Sequence, residues 1–196
     1  SNSASGTQPS STPTVTTSSA TTAPEKASSL LTTRRAAWIL GSRLALAALA
    51  HDRNLAKEKV PIWFNDAQAA AKFLGLTIAD LPEPASSGDE TVPASRQVVN
   101  YLLVNGQRIG PELAKQQGPE AAALFEISLK SNILLLLYTP GGSAAESIAA
   151  AISQAAPRAK LPTEFWKPLV DTMISKKPPA EVRAAVRNMH ANVDKY

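Results

Sequence analysis

From Leu30 onward apolar residues recur every three or four positions and rarely every second position. That spacing marks helices with one buried face, whereas half-buried strands alternate with period two. It predicts seven helical segments. The first runs from about Leu30 to Glu58, with Thr32 or Thr33 as its cap. Its centre, Ala36 to Ala50, is apolar nearly all round, as in a helix buried in a bundle or at an oligomer interface. Ala37, Gly41 and Ala45 recur every four residues there, a small ridge that would let another backbone approach closely. A second helix is expected from an Asn65 cap to Leu74, stopped by Gly75, with Pro61-Ile62-Trp63-Phe64 ahead of it as a loop plugging the core.

Residues 77–93 carry three prolines, a glycine and four acids, and predict a long mobile loop. The third helix is expected from near Pro93 to Gln117. Val98–Val104 has strand propensity, but the spacing continues through Ile109 and Leu113, and Gly110-Pro111 should kink or break the helix. Pro119 opens the fourth helix, which ends before Pro140-Gly141-Gly142. Its stretch Ile133–Leu137 is apolar on every face and is expected to be the most buried part of the chain. Ser143 and Glu146 suggest a capping box for a fifth helix that stops before Pro157. A sixth helix starts around Pro162 or Thr163, and Pro178-Pro179 separates it from a seventh. In the seventh, Val182, Ala185, Val186, Met189 and Val193 form one stripe, leaving Arg183 and Arg187 outside. The fold expectation is all-α: a single-domain bundle of six to seven helices over residues 30–196.

Residues 1–29 contain 16 Ser or Thr, and Val15 is their only large aliphatic. Such a segment cannot bury enough apolar surface to offset its ordering entropy, so it is expected to be a disordered tether. Ser1-Asn2 resembles the remnant of an expression tag. Tethers of this composition follow a signal peptide or a lipid-bearing cysteine in exported bacterial proteins. The expectation is therefore an exported, periplasmic or cell-surface, module with its signal peptide removed; a disordered terminus on a cytoplasmic protein is the alternative. No stretch is long and apolar enough to span a membrane.

The formal charge is +4, and residues 158–196, with eight bases and four acids, account for all of it. Interleaved acids (Glu164, Asp171, Glu181) argue against a nucleic-acid partner and leave weak contact with an anionic surface as a third-choice function. With no cysteine, thiol chemistry and disulfides are excluded. His51 and His190 sit in no metal-ligand spacing and are expected to be surface or helix-end histidines. Gly141-Gly142-Ser143 is a turn before it is an anion site, and neither a phosphate loop nor a nucleophile elbow occurs. No cofactor, metal or catalytic residue is expected.

What remains is a small set of charges on apolar helices. Arg43 interrupts the first helix; Glu126 and Lys130 interrupt the fourth. A buried charge must be paired. The structural reading joins Glu126 to Lys130 along the helix, or to Arg43 across helices. The functional reading is a small-ligand binder or enzyme with a pocket near Glu126, Glu126 as acid/base, Asn132 or Asn100 as orienting donors and Trp38, Tyr101, Tyr138 and Trp166 as walls. The preferred function is a non-catalytic module that binds a protein or small-molecule partner at the cell envelope, with a homo-oligomer formed through the first helix as a further expectation.

Overall fold

The computed structural model describes Gly6 and residues 31–86, 88 and 92–196. The expected tether over 1–29 lies outside the described residues, apart from Gly6. Seven α-helices follow one another: α1 (Thr33–Asp52), α2 (Val60–Phe73), α3 (Arg96–Gln117), α4 (Pro119–Leu137), α5 (Ser143–Arg158), α6 (Thr163–Ile174) and α7 (Pro179–Asn192). A short 3₁₀ turn, Val193–Lys195, follows, and the described residues form no strand. None of these helices is long and apolar enough to cross a membrane.

Helix α4 is the hub, packing against α1, α3, α5 and α7, while α1 also packs on α2 and α3. Both are nearly uniform in hydrophobicity around their circumference, which suits positions enclosed on several sides. The ridge on α1 is used inside the molecule. Ala37, Gly41 and Ala45 are all buried. A Cβ at Gly41 would stand 2.0 Å from Ser128 Oγ, 2.7 Å from the Phe125 carbonyl oxygen and 2.9 Å from the Leu129 nitrogen of α4. Only glycine allows the two backbones to meet at this separation, so the ridge is taken up by the contact of α1 with α4.

The helix ends follow local chemistry. Thr32 Oγ1 accepts from the Arg35 N–H at 3.1 Å and caps α1. The helix stops six residues before the expected Glu58, because Asn54 (φ 56°) and Ala56 (φ 48°) turn left-handed. Helix α2 starts earlier than expected, with Pro61 in its first turn. Pro61-Ile62-Trp63-Phe64 is therefore helical and no plug: Ile62 is exposed, and Trp63 and Phe64 are half-buried. Val98–Val104 is helical. Helix α3 runs unbroken through Gly110-Pro111, Pro111 removing one backbone donor without ending the helix. Helix α5 likewise includes Pro157, and its N-cap is Gly142 with no side-chain bond, so the Ser143–Glu146 capping box does not form.

Burial on α4 is centred earlier than the apolar run implied. Leu124, Phe125, Ile127, Ile133 and Leu134 are buried, whereas Leu135 and Leu137 are half-buried; the Leu136 side chain lies outside the described set. The segment 77–93 is pinned where it is described. Tyr101 Oη donates to the Ala79 carbonyl at 2.5 Å, Arg108 donates to that of Thr77 at 2.7 Å, and the Ala85 N–H donates to that of Asp52 at 2.9 Å. Asp52 is itself buried, its carboxylate accepting from the backbone N–H (2.9 Å) and hydroxyl of Ser95. Ser95 Oγ in turn caps α3 by accepting from the Val98 N–H at 3.2 Å. The end of α1 thus orients the start of α3.

Candidate functional site

The densest polar cluster lies in the core, where α1, α4 and α7 meet. Ser128 Oγ donates to the Trp38 carbonyl at 2.8 Å. The carbonyl of Ser128 accepts from Ser131 Oγ at 3.1 Å and from Asn132 Nδ2 at 2.8 Å. From α7, the His190 ring enters this group. The indole Nε1–H of Trp38 donates to His190 Nδ1 at 3.1 Å, and Ser131 Oγ lies 3.1 Å from His190 Nε2. The Trp38 ring also packs on His190, with centroids 4.8 Å apart, and edge-on to Phe165 of α6 at 5.8 Å.

The Ser131–His190 pair has the spacing of a nucleophile and its base, but the proton is on the wrong nitrogen. An indole N–H can only donate, so His190 Nδ1 must carry the lone pair. The neutral ring therefore holds its proton on Nε2 and gives it to Ser131 Oγ, whose own proton is on the Ser128 carbonyl. Asn132 Nδ2, 3.2 Å from the same Nε2, faces an N–H and makes no bond there. A base for Ser131 would need the opposite tautomer, which would set two N–H groups against each other at Trp38. Protonation meets the same obstacle. Burial, with the Arg43 guanidinium acting in the same direction, pushes the His190 pKa down from 6.5 to about 4. The cluster is a neutral polar lock between three helices. The sequence reading of His190 as a surface or helix-end residue is corrected here. The i, i+3, i+4 spacing of Ser128, Ser131 and Asn132 on an apolar helix was the available signal.

The second place of interest is a cleft of about 460 Å³ between α3 and α4, with Arg158 of α5 at its edge. Leu102, Phe125, Leu129 and Ile133 supply apolar wall, and two of the α3 positions on the cleft, Gly106 and Gly110, carry no side chain. Three charged residues line it: Glu126, Lys130 and Arg158. Glu126 Oε1 accepts from Lys130 Nζ at 2.9 Å and Oε2 from Arg158 at 3.4 Å. A more open cleft of about 390 Å³ lies at the α1–α2 junction, beside His51, Lys57, Phe64 and Asp80. It is less enclosed and has fewer aliphatic walls.

The sequence candidates are thus divided. Glu126 and Lys130 share the α3–α4 cleft and form the expected i, i+4 ion pair. Arg43 does not reach Glu126; its guanidinium is 3.9 Å from Asp66 of α2. Trp38 and Asn132 belong to the His190 lock, and Asn100 is exposed. Tyr101 ties down the 77–93 segment, with its pKa raised to about 12 by burial and by Asp80. Tyr138 Oη donates to the Lys177 carbonyl, and Trp166 packs half-buried on the core. Neither of the two clefts is lined by Trp38, Tyr101, Tyr138 or Trp166, the four aromatics expected to wall one pocket. Arg158 was missed because the ion pair that brings it to Glu126 spans 32 residues. Among the described residues no group of three or more His, Asp or Glu is placed to hold a metal ion. The chain matches no known family model, no curated protein and no solved structure.

Proposed function

We propose that this chain is a non-catalytic binding domain that holds a small apolar molecule in the cleft between α3 and α4. The cleft itself carries the reading. Its volume of about 460 Å³ falls within the roughly 300–1,000 Å³ of small-molecule sites, and its aliphatic walls with a few converging polar groups have the usual composition of such sites. Gly110 supports the reading further, because glycine inside a helix costs about 1 kcal/mol relative to alanine. A Cβ there would meet no atom within 4 Å, so helix stability is given up where open space is kept. The Ser/Thr-rich segment ahead of the fold is the basis for placing such a domain, tethered, at the cell envelope.

Binding of the neutral fluorophore N-phenylnaphthylamine tests this. The full chain should enhance its emission saturably. Ala114→Leu with Ala122→Leu, two cleft-lining positions on opposite walls, should abolish the enhancement while far-UV circular dichroism stays unchanged. Equal binding by the double variant overturns the reading. A second reading is a protein partner covering the same cleft, favoured by Leu103 and Val104, which lie 45% and 60% exposed on α3.

A further inference from the structure

We infer that the ligand of the α3–α4 cleft is a monoanionic amphipath: a single aliphatic chain ending in a carboxylate, its head held by Lys130 and Arg158. The inference rests on the cleft reading above and adds the chemistry of the ligand.

Charge is the first argument. The charged groups lining the cleft are two cations and one carboxylate, Lys130, Arg158 and Glu126. One positive charge is left over beside an otherwise aliphatic surface. A monoanion brings the set to zero. A neutral head leaves the excess, a cationic head adds to it, and a dianion overshoots. Complementarity of this kind selects among ligands more than it adds raw affinity.

Donor capacity is the second. An ammonium has three N–H groups and a guanidinium five. Lys130 and Arg158 each direct one of these to Glu126. The Arg158 contact is the longer, its side chain is 56% exposed, and Arg158 is the last residue of α5. It can turn to a ligand carboxylate and present the planar fork that such a group accepts in bidentate fashion. Glu120 offers an instructive contrast. It too sits between two cations, Arg34 and Lys160, and hydrogen bonding to Arg34 holds its carboxyl below the usual range. There, however, Arg34 also donates to the carbonyls of Ala159 (2.9 Å) and Tyr196 (3.3 Å). That group ties α1, α4, the end of α5 and the C-terminal turn together, and its arginine has fewer donors free than Arg158 has.

The third argument is shape. A Cβ built on Gly110 meets no atom within 4 Å, and one on Gly106 meets only the end of the Leu129 side chain, at 3.0 Å. Leu129 thus fills the space beside Gly106, but beside Gly110 the α3 wall is open down to the backbone, leaving room there for a slender chain.

Isothermal titration calorimetry and ¹⁵N NMR on the full chain, with decanoate, decanol and decyltrimethylammonium below their aggregation concentrations, test the inference. Decanoate should bind about tenfold tighter than decanol, the size of one charge-assisted hydrogen bond, and decyltrimethylammonium should be weakest. The amides of Gly106 and Gly110 should shift. Each methylene removed should weaken binding about fourfold. Lys130→Gln with Arg158→Gln should bring decanoate to the level of decanol and leave decanol unchanged. Decyl phosphate binding more tightly than decanoate would overturn the carboxylate assignment. Equal affinity for the three heads would overturn the head-group inference and leave the apolar cleft standing. Absence of any shift at Gly106 and Gly110 would overturn both.

Discussion

Replacing Gly41 with alanine should destabilise the protein, although alanine is the better helix former by about 1 kcal/mol. The new methyl would sit 2.0 Å from Ser128 Oγ, 2.7 Å from the Phe125 oxygen and 2.9 Å from the Leu129 nitrogen. Carbon contacts are comfortable from about 3.5 Å, so α1 and α4 would have to part by roughly 0.8 Å to clear the Phe125 carbonyl alone. Ser128 could rotate away only by abandoning the Trp38 carbonyl, leaving a buried hydroxyl unpaired at about 1–3 kcal/mol. Overpacking a tight interface costs about 1–3 kcal/mol more. After subtracting the propensity gain, Gly41→Ala should lose about 1–5 kcal/mol, read from urea unfolding by circular dichroism and tryptophan fluorescence together. Adding Ser128→Ala removes the closest contact and the orphaned hydroxyl but not the two backbone clashes. The double variant should therefore recover only part of the loss. A Gly41→Ala protein as stable as the parent would refute the argument that backbone proximity sets this helix spacing.

Three further outcomes follow from the same structure. His190 titrates near 4 when folded against 6.5 when free, so the unfolded chain binds the extra proton between those values. Stability should be full above pH 6.5 and fall by about 3 kcal/mol as the pH drops from 6.5 to 4; urea midpoints across that range should flatten in His190→Gln, and an unchanged slope would count against the buried neutral ring. Leu134→Ala, at a fully buried position, should cost about 2–5 kcal/mol, and Leu135→Ala, half-buried one residue on, clearly less; equal losses in thermal melts would contradict the burial pattern. Ala56→Gly should gain about 0.5–1 kcal/mol by relieving the left-handed backbone at φ 48°, and a lower urea midpoint would show that no strain is held there.

The sequence alone determined the helical class, the number of helices and most of their ends. Those features are set by neighbours three or four residues away: the Thr32 cap, the left-handed Gly75, the proline that opens α4. It also held the Gly41 ridge and the Glu126–Lys130 pair, both of which repeat at helical spacing. Local signals also misled. Pro111 and Pro157 lie within helices that the proline signal alone would have ended. The apolar run at Ile133–Leu137 suggested the deepest burial, but α1 packs against the earlier part of α4, where Ser128 and Phe125 meet Gly41. Tertiary structure alone decided the partners of the polar groups. Asp52 meets Ser95 across 43 residues, Arg34 meets Ala159 across 125, and Trp38 meets His190 across 152. A histidine at the end of an amphipathic helix carries no mark of whether its ring faces water or a tryptophan. That depends on the angle at which the helix is laid down, and the angle is fixed by packing summed over the whole core. The cleft belongs to the same class of property. Gly106 and Gly110 are visible in the sequence, but the space beside them exists only because α3 and α4 pack with Arg158 of α5 at their edge.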